Sequence, residues 1–234
     1  SGSKSIQDKN IADLGGHPLL SYSIALAKML PSINKVIVST DSLEYAAVAK
    51  KYGAEIPFLR PADLSLDDST DYEFMSHTID WFERNSYESP KYWIHLRPTT
   101  PLRDIKVVIK AMSLIESRQD ATALRSGHLS PESPFKWLRR NSDGFLTSLN
   151  GNDTDLDQLN GPRQKFPDVL IPNGYVDIIK SSFVQENKLL HGNKVLAFDT
   201  PFCNEVDTIE ELELLEFQLK TKGSSLTQYL NGVK

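Results

Sequence analysis

Polar segments near the two ends of the chain carry residue types suited to phosphate and metal chemistry. In the opening SGSKSIQDKN, Ser1, Gly2 and Ser3 can present backbone N–H groups to an anion, with Lys4 and Lys9 as point charges. A solvated polar loop would have the same composition. No GxxxxGK(S/T) run is present and no GxGxxG follows a strand pattern, so those nucleotide folds are not indicated. Toward the other end, Glu205 and Asp207 flank Val206; alternate residues of an extended segment face one side, so two carboxylates can converge on a divalent cation. The same stretch also reads as a helix start, with Asp207 as N-cap and Glu210 three positions on. Between them, LRPTTPLR offers Arg97, whose planar fork suits a carboxylate ligand or a salt bridge at a strand end. Arg103 reads as a partner for Asp104 or as support for that loop.

Alternating strand-like and helix-like patterns must position these residues, which predicts an α/β fold with a mostly parallel sheet and helices on both faces. VIVST (36–40) and YWIHL (92–96) read as buried strands, the second stopped by Pro98 and Pro101. Ile105, Val108, Met112 and Ile115 repeat at helical spacing, and Ile209, Leu212, Leu215 and Leu219 mark a long helix near the end. ATALRS (121–126) and YVDIIK (175–180) read as further strands. Residues 130–172, rich in Pro, Gly, Asn and Asp with short aromatic segments, read as an inserted hairpin-and-loop element with dimerisation as a candidate role. An α/β domain normally begins with a buried strand that delivers its first loop. This sequence begins at the loop, so a leading strand and the residues before Ser1 are expected to be missing from it.

The 234 residues are 39% apolar and 24% charged, which suits one α/β domain spanning 1–234. A net charge of −5 without a basic stripe argues against a nucleic-acid partner. No apolar run approaches the ~20 residues of a membrane span. The single cysteine, Cys203, excludes an internal disulfide and fits a reducing cytoplasm. His17, His77, His95, His128 and His191 include no metal-type spacing and no cysteine partner, which argues against zinc.

Taken in order, SGSKSIQDKN, NIADLGGHPLLSYSI, the VIVSTDSLEYAAVAKKYGAEIPFLRPADLSLDDST run, YWIHLRPTTPLRD, GPRQKFPDVLIPNGYVDIIK and NEVDTIEELELLE closely resemble the acylneuraminate cytidylyltransferases. The resemblance covers nearly the whole chain. It implies a Rossmann-like nucleotide-diphospho-sugar transferase fold with a dimerisation insertion. The implied reaction joins CTP to an acidic 2-keto-3-deoxy sugar of the sialic-acid type, giving the CMP-sugar and pyrophosphate, with Mg²⁺ required. Two alternatives stand beside it: activation of another sugar such as 3-deoxy-manno-octulosonate, and a non-catalytic nucleotide-sugar-binding module.

By the same resemblance, Lys4, Lys9 and Asn10 match polar positions of the nucleotide loop, with Lys9 on a phosphate. The family carries an arginine just ahead of that loop. Thr70 matches a hydroxyl near the substrates, although Thr70-Asp71-Tyr72-Glu73 is also a capping box. Arg97, where several sialic acid synthetases have Gln, falls with Thr99, Arg163 and Gln164 on the sugar side. Glu205 and Asp207 match an Asp-x-Asp pair that holds Mg²⁺, making Lys9 and Asp207 the candidate catalytic residues. Ile171 replaces a family arginine and Asp177 an aromatic residue, both where the sugar is expected.

Overall fold

A computed structural model describes residues 6–66, 68–149 and 156–233. Ser1, Gly2, Ser3 and Lys4 lie outside the described residues. In chain order the elements are β1 (Asp13–Leu14), β2 (His17–Pro18), α1 (Leu19–Met29), α2 (Leu43–Lys51), α3 (Asp71–Arg84), β3 (Tyr92–His95) and α4 (Ile105–Ser117). They continue with β4 (Ala123–Leu129), β5 (Leu138–Arg140), β6 (Leu146–Ser148), β7 (Leu170–Lys180), α5 (Ser181–Asn187), β8 (Val195–Asp199), α6 (Ile209–Lys222) and α7 (Ser225–Gly232).

The α/β architecture has helices on both faces of a four-stranded sheet ordered β3-β7-β4-β8. The sheet is mixed, where the sequence pattern suggested mostly parallel. β4 and β8 run parallel, but β7 lies antiparallel between β3 and β4. A buried apolar run does not encode direction, and β7 is such a run: every residue from Asn173 to Ile179 is buried. Its alternation feeds two layers. Val176 and Ile178 pack with Leu26 of α1, Val108 of α4 and Leu215 of α6, whereas Ile179 packs with Met75 and Ile79 of α3 and Val184 of α5. A third cluster joins Leu20 and Ile24 of α1 to Ala49 and Ala54.

Local rules set the element ends that matter for function. β1 and β2 form a hairpin whose turn residues, Gly15 (φ 61°) and Gly16 (φ 88°), both take the positive φ that a type I′ turn demands. α4 starts at Asp104, whose side chain accepts a hydrogen bond from the Lys106 N–H at 2.8 Å, and buries Val108, Ala111 and Ile115 along one face. The run from Val36 to Thr40, expected as a strand, makes a single parallel bridge, Ile37 to Glu55. One partner on one side supplies only two ladder bonds, Val38 N–H to Glu55 C=O and Glu55 N–H to Val36 C=O. Within residues 130–172, β5 and β6 form a small antiparallel hairpin. Trp137, Leu138, Phe145, Leu146 and Leu149 are exposed along it.

Candidate functional site

Four segments far apart in sequence meet at one end of the sheet. Lys9 opens a 3₁₀ turn, Lys9–Ile11, ahead of α1. Its ammonium forms an ion pair of 2.8 Å with the Asp207 carboxylate, 198 residues away. The Lys9 side chain is 15% exposed and that of Asp207 67%, so the carboxylate stands at the surface over a largely covered cation. The backbone around Asp207 is held as well: Val206 is fully buried and its N–H donates to the Thr99 carbonyl at 2.8 Å. One residue earlier, Glu205 Oε1 accepts the Gly174 N–H at 2.6 Å. This tie explains the glycine, because a Cβ there would stand 2.6 Å from Thr100 Oγ1, 3.0 Å from Arg97 Cδ and 3.3 Å from Glu205 Oε1.

The helix-start reading of this segment shifts by one residue. Thr208, not Asp207, caps α6, in a capping box with Glu211. Asp207 joins that cap through its N–H, which donates to Glu211 Oε2 at 2.7 Å, while its carboxylate meets Lys9.

Arg103 does not pair with Asp104. It is 3% exposed and donates to the carbonyls of Tyr175, Arg97 and Gly174 and to the Ser23 hydroxyl, at 2.6 to 3.0 Å. Burial lowers its pKa to about 10, which leaves it charged at neutral pH. A single cation thus fastens the PTTP loop, β7 and α1 together.

Arg97 points into a second charged group. Its two terminal nitrogens bind both oxygens of Asp71, the first residue of α3, and one lies 3.7 Å from Asp177. Strand register builds the rest: His95, Asp177 and Arg125 are direct cross-strand partners on β3, β7 and β4 and so share a face. Asp177 is 3% exposed, and its Oδ1 has no hydrogen-bond partner among the described residues, as is true of His95 Nδ1 and His191 Nε2. Burial raises the Asp177 carboxyl above the usual range against the pull of Arg125 and Arg97. Burial would raise Asp71 too, but the hydrogen bonds and charge of Arg97 outweigh it and hold that group low. His95 is pushed down to about 4 by burial and by Arg97. Sequence patterns singled out Arg97 and Asp177 but missed Asp71, His95, Arg125 and His191. The usable signal was the i, i+2 relation of His95 to Arg97; the rest depends on which strands pair.

Of the remaining candidates, Thr70, Asn10 and Thr99 adjoin these two groups, whereas Arg163 and Gln164 stand elsewhere. Thr70 is the N-cap of α3, with a reciprocal capping box to Glu73. Asn10, Thr99, Arg97 and Asp71 are among the residues that line a long cleft beside β3. Arg163 and Gln164 stand on a 3₁₀ turn, where Arg163 donates to the Pro131 carbonyl at 3.1 Å. No bond among the described residues ties them to Arg97 or Asp207.

Comparison with known proteins gives these segments a context. A family model described as cytidylyltransferase matches residues 1–125. An N-acylneuraminate cytidylyltransferase of Escherichia coli is 31% identical over 99% of this chain, and the chain spans 53% of that relative, about half its length. A CMP-N,N'-diacetyllegionaminic acid synthase of Campylobacter jejuni is 26% identical over 96% of this chain and 93% of its own. In fold, the chain is similar to a CMP:2-keto-3-deoxy-manno-octonic acid synthetase solved in complex with CTP. That likeness has a TM-score of 0.68 and 13% identity, covering 94% of this chain and 95% of that one.

Proposed function

Because the chain belongs to the cytidylyltransferase family, we propose that it transfers CMP from CTP to an acidic 2-keto-3-deoxy sugar of the sialic-acid class, releasing pyrophosphate. The observation that carries this reading is the Lys9–Asp207 ion pair, which closes the loop ahead of α1 onto the NEVD segment. In the reaction the sugar's anomeric hydroxyl oxygen attacks the α-phosphorus in line. The bond from that phosphorus to the bridging oxygen breaks, pyrophosphate leaves, and the hydroxyl gives up its proton. Catalysis of this kind rests on positioning and charge neutralisation.

Lys9, with the neighbouring Asn10, serves the phosphates and nucleotide, as do Ser1, Gly2, Ser3 and Lys4 earlier in the sequence. Asp207 and Glu205 suit Mg²⁺, which takes one or two carboxylates and completes its shell with water and phosphate oxygens. The fit rests on the exposed Asp207 carboxylate and on its neighbour Glu205, which uses Oε1 for the Gly174 N–H. Such an ion would supply charge neutralisation to the triphosphate. Arg97 faces the sugar, with Thr99, Asp177, Arg163 and Gln164 as further sugar-side residues. Arg97 is already latched to Asp71, so a substrate carboxylate must share that fork or displace Asp71 from it. The exposed apolar residues of the β5–β6 hairpin fit a contact between two copies in a homodimer. Among the described residues no helix is long and apolar enough to cross a membrane; with its single thiol, the enzyme fits the cytoplasm.

The test incubates the protein with CTP, Mg²⁺ and a panel of neuraminic, legionaminic, pseudaminic and octulosonic acids, and identifies products by mass. A CMP-nonulosonate with stoichiometric pyrophosphate is expected. Turnover with ATP or GTP but not CTP sinks the proposal, as does tight CTP binding without turnover of any acidic sugar.

A further inference from the structure

The proposed transfer leaves one proton without a destination. As the anomeric hydroxyl oxygen bonds to the α-phosphorus it loses its proton, and a side chain within hydrogen-bond reach must accept it. The groups around Arg97 differ sharply in their fitness for that role. Asp177 is a carboxylate 3.7 Å from Arg97, but it is 3% exposed and lies out of a substrate's reach. His95 is pushed down to about 4 by burial and Arg97, and burial lowers His191 as well, so both are weak bases. Arg125 has no free lone pair to offer. Glu205 and Asp207 belong to the metal and to Lys9. Asp71 remains, with its side chain 33% exposed.

At rest Asp71 is a poor base: burial would raise its carboxyl, but the hydrogen bonds and charge of Arg97 outweigh burial and hold it low. The group that holds it is also the group the substrate needs. Both terminal nitrogens of Arg97 take both Asp71 oxygens, the geometry in which a guanidinium receives any carboxylate. In the ring form of a 2-keto-3-deoxy acid, the carboxylate and the anomeric hydroxyl sit on the same carbon. A substrate carboxylate on that fork therefore brings its hydroxyl beside the residue it displaced.

We infer that the sugar's carboxylate exchanges with Asp71 on Arg97, and that the released Asp71 carboxylate accepts the proton of the anomeric hydroxyl, a step that rests on the proposed cytidylyl transfer. The exchange needs no movement of the backbone. Asp71 is the first residue of α3, behind the Thr70 capping box, so its short side chain turns on a fixed base and stays beside the fork. Arg97 does not follow it, because Asp177 holds the same guanidinium from a buried strand position. Exchange also arms the base. With Arg97 neutralised by the substrate and a second carboxylate alongside, the Asp71 carboxyl rises. The other groups that act on it are Arg125 from β4, Asp177 from β7, and His95 and His191, both neutral at pH 7. The step balances: the oxygen–phosphorus bond forms, the bond to pyrophosphate breaks, and the proton converts Asp71 to a neutral acid. When product leaves, Arg97 reclaims Asp71 and the proton passes to water.

Steady-state kinetics of the parent, Asp71→Asn and Asp71→Glu test this, with CTP, Mg²⁺ and the acidic sugar of the panel that the parent turns over fastest. Asp71→Asn is expected to lose at least about 100-fold in kcat while its KM for the sugar falls, because Arg97 no longer carries a resident carboxylate. In the parent, kcat drops as pH is lowered, since the base must be unprotonated; that acidic limb is absent from Asp71→Asn. Asp71→Glu keeps the limb and part of the turnover, which separates loss of the base from loss of the fold. A kcat for Asp71→Asn equal to the parent's, a sugar KM that rises, or a limb that persists without the carboxylate overturns the inference and leaves the proposed function standing. Failure of the parent to turn over any acidic sugar overturns both.

Discussion

The two charged groups at the carboxyl end of β3 are built in opposite ways. Lys9 and Asp207 meet across loops, with one partner surface-exposed and with Val206 fixing the neighbouring backbone. The group around Arg97 is built on strand register, with His95, Asp177 and Arg125 side by side and Asp71 delivered by a capped helix. The first arrangement opens without moving the sheet, because its carboxylate is mostly exposed and can swing into water. The strand residues of the second cannot rearrange without disturbing the sheet. A site that must admit and release a highly charged ligand is better served by the first kind, while discrimination of shape is better served by the second.

The comparison breaks most visibly at Asp207. Asp207→Ala is expected to lower kcat at least about 100-fold, ~2.7 kcal/mol of transition-state stabilisation, with a melting temperature close to that of the parent. Steady-state turnover beside thermal unfolding checks it; unchanged turnover would reduce Asp207 to a surface residue. Next comes the pH response of the sheet-borne group. His95 has its pKa lowered to about 4 by burial and Arg97, below an unfolded value of ~6.5, so the unfolded chain binds the extra proton between those limits. Stability is therefore full above ~6.5 and falls as pH drops toward 4, by about 2 kcal/mol at pH 4.5. Thermal melts at pH 7 and 4.5 measure the fall, and His95→Gln should flatten it. The smallest effect is expected at Lys9: Lys9→Ala loses tenfold or somewhat more in kcat/KM, ~1.4 kcal/mol per decade, and unfolds no more easily than the parent. A loss confined to stability would mean that the pair is structural and that the two groups are alike.

Much of this was legible from residue order. β3, α4 and α6 lie where periodicity and proline placed them, because each is specified locally. The antiparallel course of β7 was not legible, since an apolar run buried on both faces reads the same in either direction. The His95–Asp177–Arg125 row was hidden for a related reason: it belongs to the pairing of strands about 50 to 80 residues apart, and only Asp177 drew notice as a site residue. At α6 the capping rule was right in kind and wrong by one residue, because both Asp207 and Thr208 precede a suitable glutamate. Arg103 was read as loop support or as a partner of Asp104, and the carbonyls of Arg97, Gly174 and Tyr175 decide for the loop.

That arginine also constrains motion. Three parts of the molecule hang on one guanidinium, whose planar fork cannot follow them in different directions. The PTTP turn, β7 and α1 therefore translate as one stiff body, and Thr99 carries the 205–207 segment with them. The Lys9 turn joins that body both through the Asp207 salt link and through the chain itself, with the Leu19 N–H donating to the Ala12 carbonyl at 3.0 Å. A ligand that takes Asp207 therefore frees the Lys9 ammonium without unseating the turn.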